Sequence, residues 1–170
     1  PVFFQSFSST FLGNPGLPAQ TNFFYRRNYN HDFLFAVPYQ LYVYTPFNIL
    51  HFNTRKPFTE LKYLSSGSRE NSEQILKGLH TQNINPHANI GIVYDLVASR
   101  GIYLNQNTGY NRLNLFGSYD KDDYSIYISA HMNNLRAQEN GGIENIEDFI
   151  NKEASELNYS VLLEDADSRS

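Results

Sequence analysis

The chain has 170 residues, no cysteine, no tryptophan and a formal net charge of −4. The lack of cysteine excludes disulfides, thiolate metal sites and cysteine nucleophiles, and the acidic balance argues against nucleic acid as a partner. No run approaches the roughly 18 apolar residues of a membrane helix, whereas a membrane strand needs only about 9–11 alternating residues. The chain begins at Pro1 without a recognisable signal peptide, so we expect it to be mature or truncated.

Residues 1–58 form an irregular N-terminal part that several prolines interrupt. Phe33, Phe35 and Val37 share a face at a period of two, whereas 41–44 is apolar on both faces. We therefore expect one or two strands in this part, joined by irregular links.

Residues 59–133 show the alternation of apolar and polar residues that is typical of half-buried strands. We predict a series of β-hairpin strands at 59–66, 73–83, 88–98, 111–120 and 123–133.

Each of the three last runs divides into an apolar and a polar face, and the polar face is interrupted by Val93, Val97, Phe116 and Tyr127. The apolar face is predicted to contact lipid and contains Ile90, Ile92, Tyr94, Leu96, Leu113, Leu115, Tyr124, Ile126 and Ile128. The polar face is predicted to line a lumen and contains Asn89, Asp95, Arg112, Asn114, Ser118, Ser125, Ser129 and His131.

The links between the strands alternate in length. Outer-membrane barrels have short periplasmic turns and longer extracellular loops. We therefore assign the short turns 84–87 and 120–123 to the periplasm, and the links 67–71, 100–109 and 134–158 to the outside. The link 134–158 is long and acidic.

Within this acidic link, apolar residues from Ile143 to Leu157 recur at helical spacing. Glu144 and Glu147 suit the N-terminus of a helix, because the helix dipole favours negative charge there. We expect a short helix near 144–156 that covers part of the barrel mouth.

The sequence contains no Gly-x-Ser-x-Gly elbow, no phosphate-binding loop and no dinucleotide fingerprint, so we expect neither enzymatic activity nor a cofactor. His80 and His131 lie on predicted strands without metal-ligand spacing, and we interpret both as hydrogen-bonded wall or lumen side chains. The carboxylates of 164–167 lack the pattern of a calcium loop and are interpreted as a solvated acidic loop, with calcium as the alternative.

Several stretches resemble the putative porin family of Bacteroidetes outer membranes. They are Leu12-Gly13-Asn14-Pro15-Gly16, Pro38-Tyr39, Asn53-Thr54, Pro57-Phe58-Thr59, Glu73-Gln74, His80-Thr81-Gln82-Asn83-Ile84-Asn85-Pro86, Gly101-Ile102-Tyr103-Leu104-Asn105-Gln106 and Glu139-Asn140-Gly141-Gly142-Ile143. The resemblance covers most of the chain. It implies a large antiparallel barrel in the cell outer membrane, of which this chain is an N-terminal portion, and it carries over no catalytic residues.

These observations predict an all-β fold that is a portion of an antiparallel up-and-down transmembrane β-barrel, with a short helix in a long outer loop. About six to eight strands close only a small barrel, so the rest of a porin wall must come from outside this sequence. The expected function is passive diffusion of small solutes, with outer-membrane lipid as a partner together with other envelope proteins or the rest of the barrel.

Two alternatives remain open. One is a plugged outer-membrane barrel with a structural or assembly role in an envelope complex. The other is a soluble β-sandwich that serves as a binding module and packs its apolar faces inward.

Overall fold

The structure is a computed structural model and describes residues 8–11, 13–26, 34–68, 72–101, 104–145, 147, 150, 160–163 and 166–169. Within these ranges the strands are β1 (Ser9–Phe11), β2 (Ala19–Thr21), β3 (Phe58–Ser66), β4 (Glu73–Asn85), β5 (Ala88–Arg100), β6 (Asn107–Lys121), β7 (Tyr124–Glu139) and β8 (Ala166–Arg169), and 3₁₀ helices occupy Phe24–Arg26 and Leu34–Tyr42.

Strands β3 to β8 form one antiparallel sheet in which every strand pairs with its neighbour in the chain. Strands β1 and β2 pair with each other as a separate hairpin. The predicted all-β antiparallel fold is therefore confirmed. Among the described strands, however, the larger sheet is open, with β3 and β8 as its two edges, and it does not close into a barrel.

The links lie at opposite ends of the sheet according to their length. Two-residue turns join β4 to β5 and β6 to β7 at what we call the short-turn end. Asn85 Oδ1 accepts hydrogen bonds from the backbone N–H groups of His87 and Ala88, both at 2.8 Å. Asp122 has a φ of 51°, a left-handed conformation that suits the turn of a two-residue hairpin. The three other links of the sheet lie at the opposite, long-link end.

The N-terminal prediction is wrong at Leu34–Tyr42, which forms a 3₁₀ helix instead of strands. Pro38 lies inside this segment, and proline lacks the N–H group that an interior strand position donates to its neighbour. Phe33 lies outside the described residues. The strands of this part are instead the short β1 and β2.

The acidic link also differs from its prediction. Strand β7 continues to Glu139, six residues beyond the predicted end, and Ile143 forms a bridge with Val161. Most of the helix predicted near 144–156 lies outside the described residues. Residues 166–169 belong to strand β8, which pairs with β7, so this part of the predicted acidic loop is paired strand.

Gly91 of β5 leaves room for an aromatic ring from the next strand. A Cβ atom added at Gly91 would lie 2.1 Å from Cζ of Phe116, its direct partner on β6. Gly91→Ala is therefore expected to lower the free energy of unfolding by about 1–3 kcal/mol through overpacking. Gly117→Ala is the matched control, because the nearest atom to its added Cβ lies at an ordinary 3.6 Å. Urea unfolding measures both variants, and equal stability of the two would contradict this packing.

Candidate functional site

The two faces of the larger sheet carry the two sets of residues that the sequence separates. We call inner the face that carries Asp95 and Arg112, which are direct partners across β5 and β6, and outer the face that carries Ile126 and Ile128 of β7. The pairing register places all eight predicted lumen residues on the inner face and all nine predicted lipid residues on the outer face. Their contacts with a lumen or with lipid stay predictions.

On strands β5 to β7 the outer face is apolar and exposed from the short-turn end to its middle. Ile126, Ile128 and Met132 are 53%, 68% and 71% exposed. On β7 the apolar band runs from Tyr124 to Met132, about 27 Å along a strand. At the usual tilt of about 40° this spans about 20 Å, close to the apolar band of about 25 Å on outer-membrane barrels.

The polarity of the two faces reverses toward the long-link end. There the outer face presents Asn111, Asn134 and Arg136, all exposed. The inner face at the same level contributes Val97, Tyr110 and Leu135 to an apolar core with Ala19 and Tyr42. This end of the sheet is therefore polar outside and apolar inside, as in a water-soluble protein, whereas the short-turn end has the opposite arrangement.

Residues 42–54, which we call the inner segment, lie against the inner face. Asn133 Oδ1 accepts a hydrogen bond from the backbone N–H of Tyr44 at 2.9 Å, and Asn133 Nδ2 donates one to the carbonyl of Tyr44 at 3.0 Å. Asn83 binds the segment near its other end, accepting from the N–H of Thr54 at 3.1 Å and donating to Asn53 at 2.8 Å. The amide side chains of Asn83 on β4 and Asn133 on β7 thus bind the inner segment to the sheet.

Further contacts attach neighbouring parts of the chain to the same face. The ring of His51 packs on those of Phe116 and Tyr127, with centroids 5.9 and 4.8 Å apart. Thr108 donates to the carbonyl of Pro15 at 2.7 Å, and Asn14 donates to that of Gln106 at 2.9 Å. The aromatic residues that interrupt the polar pattern of the sequence therefore provide packing for the inner segment.

A buried ion pair lies at the centre of this interface. Asp95 and Arg112 are 1% and 5% exposed, and their Oδ2 and Nη2 atoms are 2.6 Å apart. Arg112 also donates to the carbonyl of Tyr42, and the hydroxyl of Tyr44 donates to Asp95. The guanidinium carbon lies 4.5 and 4.4 Å from the ring centroids of Tyr44 and Tyr110. The ion pair therefore links strands β5 and β6 to the inner segment.

The two tyrosines of the inner segment serve as neutral donors. Burial raises the pKa of Tyr42 to about 12, and burial, followed by the hydrogen bond to Asp95, raises the pKa of Tyr44. Because the folded pKa of Tyr42 exceeds its ordinary value of 10, its contribution to stability is fully present below pH 10 and is lost as the pH rises through about 12.

A cavity of about 340 Å³ lies between the inner segment and strands β3 to β6. The inner segment contributes Tyr44 and the apolar residues Ile49, Leu50 and Phe52 to its lining. The wall contributes Leu79, Val93, Glu60, Lys62, Lys77, Asp95 and Asn114.

Of the residues in this region, Asp95, Arg112 and Asn114 were predicted as site residues from the sequence, whereas Tyr44, Lys77 and Asn133 were not. Lys77 lies 3.9 Å from Asp95 on β4, whose weak alternation left its faces unassigned. Asn133 ends the predicted run 123–133 on the polar side, which was the available sign of its role. Tyr44 lies in a stretch with no informative alternation.

Among the described residues, no group of three or more His, Asp or Glu side chains could hold a metal ion. No helix in the described ranges has the length and apolar character that crossing a membrane requires.

The fold and its faces define an all-β protein in which a meandering antiparallel sheet exposes an apolar face and covers its polar face with its own N-terminal part. The model of a family described as "Putative porin" matches residues 2–170. The chain belongs to this family. Comparison with curated proteins and with solved structures found no match.

Proposed function

We propose that the protein forms part of the wall of a porin-type barrel in the cell outer membrane, through which small solutes diffuse passively. The observation that carries the proposal is the inverted polarity of the sheet near the short-turn end. Apolar side chains such as Ile128 are exposed there, whereas the polar side chains of Asn89, Asp95 and Asn114 are buried. Lipid is the solvent that favours this arrangement, since a charged residue on the lipid face of a barrel costs about 2–4 kcal/mol near the midplane.

The inverted polarity also distinguishes this function from the soluble β-sandwich. A sandwich buries its apolar sheet faces against each other, so Ile126 and Ile128 would be core residues. In the described part of the chain, the buried face is the one that carries the polar and charged side chains, and the strands that would cover the apolar face are lacking. The contacts therefore favour a membrane environment.

In a membrane, the open edges of the sheet at β3 and β8 must pair with further strands. Lipid offers no hydrogen bonds, so every N–H and C=O group of a spanning strand must be paired within protein, and only a closed barrel achieves this. We propose that the rest of the same chain supplies the missing wall and that this sequence is the N-terminal portion of a longer barrel. The resemblance to Bacteroidetes proteins supports this proposal and an origin in such an outer membrane.

In this barrel the inner face points into the lumen, and those of its side chains that stay accessible, such as Ser125, select solutes by size and charge. We further propose that the protein has no enzymatic activity and no cofactor, because the sequence contains no catalytic or cofactor motif. Its partners are outer-membrane lipid and the remaining barrel strands or other envelope proteins, and not nucleic acid.

A plugged barrel with a structural role in an envelope complex is the second candidate. The hydrogen bonds of Asn83 and Asn133 to the inner segment favour it, because they hold this segment against the face that would line the lumen. The two candidates differ in whether solutes pass the segment.

Single-channel conductance in planar bilayers separates the two candidates. A passive channel is expected to conduct in the wild type, and Asn133→Ala is expected to increase the frequency of large openings, because this variant removes both hydrogen bonds to the backbone of Tyr44. Asn134→Ala is the matched control, since Asn134 is exposed on the outer face. A wild type without conductance would contradict passive diffusion and support the plugged barrel.

A further inference from the structure

The cavity between the inner segment and the wall has an unusual charge pattern. Lys62 of β3 and Lys77 of β4 are direct cross-strand partners on the inner face, and both line the cavity. Like charges that oppose each other across two strands are destabilising, so a neighbouring anion would relieve an unfavourable contact. Lys62 lies 3.8 Å from Glu60, and Lys77 lies 3.9 Å from Asp95.

These carboxylates leave a positive surplus beside the cavity. Oδ2 of Asp95 is already bound by Arg112 and by the hydroxyl of Tyr44. The two lysines and Arg112 therefore face the negative charges of Glu60 and Asp95, and one positive charge remains unbalanced. Both lysine side chains are solvent-accessible, at 51% for Lys62 and 29% for Lys77, so a solute can reach them.

Asn114 supplies an independent indication of a ligand. Its side chain is 1% exposed and lines the cavity, and its Oδ1 atom has no hydrogen-bond partner. A buried acceptor without a donor is costly, because it has lost its hydrogen bonds to water and gained none in return. A bound molecule with a hydroxyl or amide N–H group would provide the missing donor.

The remaining lining defines the body of such a molecule. Ile49, Leu50 and Phe52 of the inner segment face Leu79 and Val93 of the wall across the cavity. At about 340 Å³, the space lies within the usual range for small-molecule sites. An aromatic ring or a short aliphatic group fits this mixture of apolar walls and few polar groups.

We infer that this cavity binds a small carboxylate that carries an apolar group and a hydrogen-bond donor. The carboxylate lies between Lys62 and Lys77, the apolar group contacts the inner segment, and the donor reaches Oδ1 of Asn114. That this cavity lies in the lumen of a barrel rests on the proposed function. Binding of the carboxylate at the cavity does not require that solutes cross the membrane.

Isothermal titration of the purified, folded protein tests this site with three probes of similar size. 4-Hydroxyphenylacetate has all three features, tyramine replaces its acid by an amine, and phenylacetate lacks the hydroxyl donor. We expect 4-hydroxyphenylacetate to bind at least about tenfold more tightly than tyramine, and severalfold more tightly than phenylacetate, because one hydrogen bond contributes about 0.5–1.5 kcal/mol. Equal affinity for the acid and the amine, or no saturable binding of the acid, would overturn the inference.

Two variants locate the binding. The double variant Lys62→Gln/Lys77→Gln is expected to bind 4-hydroxyphenylacetate at least about tenfold more weakly, whereas Lys121→Gln, at the short-turn end, is expected to bind as the wild type does. Unchanged binding by the double variant would overturn the proposed site. Conductance of the same preparation is a separate readout, so a failure of passive diffusion is distinguishable from a failure of binding.

Discussion

Ile128→Lys is expected to make insertion into a bilayer less favourable by about 2–4 kcal/mol, whereas Ser129→Lys is expected to be tolerated. Ile128 is 68% exposed on the outer face, near the middle of the apolar band of β7. Ser129, the next residue, lies on the inner face opposite Phe116. The two variants introduce the same charge one residue apart. A difference between their stabilities in lipid is therefore due to the face on which the charge lies and not to the charge itself.

Folding of each variant into lipid vesicles, followed by urea titration, measures the difference. Ile126→Lys and Ser125→Lys provide a second pair closer to the short-turn end, where the cost on the outer face is expected to be smaller because the side chain lies nearer the membrane surface. Equal tolerance on both faces would exclude lipid contact by the outer face. A wild type that folds in water without detergent, and that Ile128→Lys unfolds, would favour the β-sandwich, because Ile128 would then be a core residue.

Loss of the charge at Asp95 is expected to destabilise the folded protein by about 3–5 kcal/mol, because Asp95→Asn leaves Arg112 buried without a counter-charge. The variant also weakens the hydrogen bond from Tyr44 and therefore the attachment of the inner segment. Urea unfolding measures the loss, and protease cleavage within residues 42–54 is expected to become faster.

Two controls show whether burial causes this effect. Glu60→Gln removes one partner of the Glu60–Lys62 pair, whose side chains are 52% and 51% exposed, and is expected to cost at most about 1 kcal/mol. The double variant Asp95→Leu/Arg112→Met removes both charges and is expected to be more stable than Asp95→Asn, since well-packed apolar residues often replace a buried pair without loss. A cost for Asp95→Asn as small as that for Glu60→Gln would contradict a buried, coupled pair.

The division of β5, β6 and β7 into two faces could be predicted because it depends on local information. A strand places successive side chains on opposite faces, so a period of two in runs such as 123–133 indicates which residues lie together. The short turns at Pro86-His87 and Asp122-Asp123 are similarly local, since proline and acidic residues favour turns. The family resemblance then supplied the environment of the faces, which the period alone does not define.

The place of Lys77 beside Asp95 could not be predicted, because the register between β4 and β5 depends on an irregularity in the sheet. Asn85 pairs with Ala88, and continuing that register would place Lys77 opposite Leu96. An irregularity between Asn83 and Asn85 shifts the pairing by one residue, so that Lys77 pairs with Asp95. A shift of one residue also exchanges the faces of a strand, which explains why the face of Lys77 was not evident from its own sequence.

The inner segment was missed for a different reason. Its hydrogen bond between Tyr44 and Asn133 joins residues 89 positions apart, and the alternation within a short stretch contains no information about such contacts. Leu34–Tyr42 shows the same limit, because its local apolar period resembles a strand although the segment is a 3₁₀ helix. Tertiary contacts, and not local preference, determine the structure of this part of the chain.

The most direct test of an outer-membrane barrel is the location and gel mobility of the native protein. Membranes of the source organism are extracted with detergent, and the extract is run with and without boiling. An outer-membrane barrel predicts that the protein appears in the detergent-extracted outer membrane and migrates as a folded species until it is boiled. Release in soluble form without detergent would contradict the barrel and would favour a water-soluble sheet protein whose apolar face is covered by a partner.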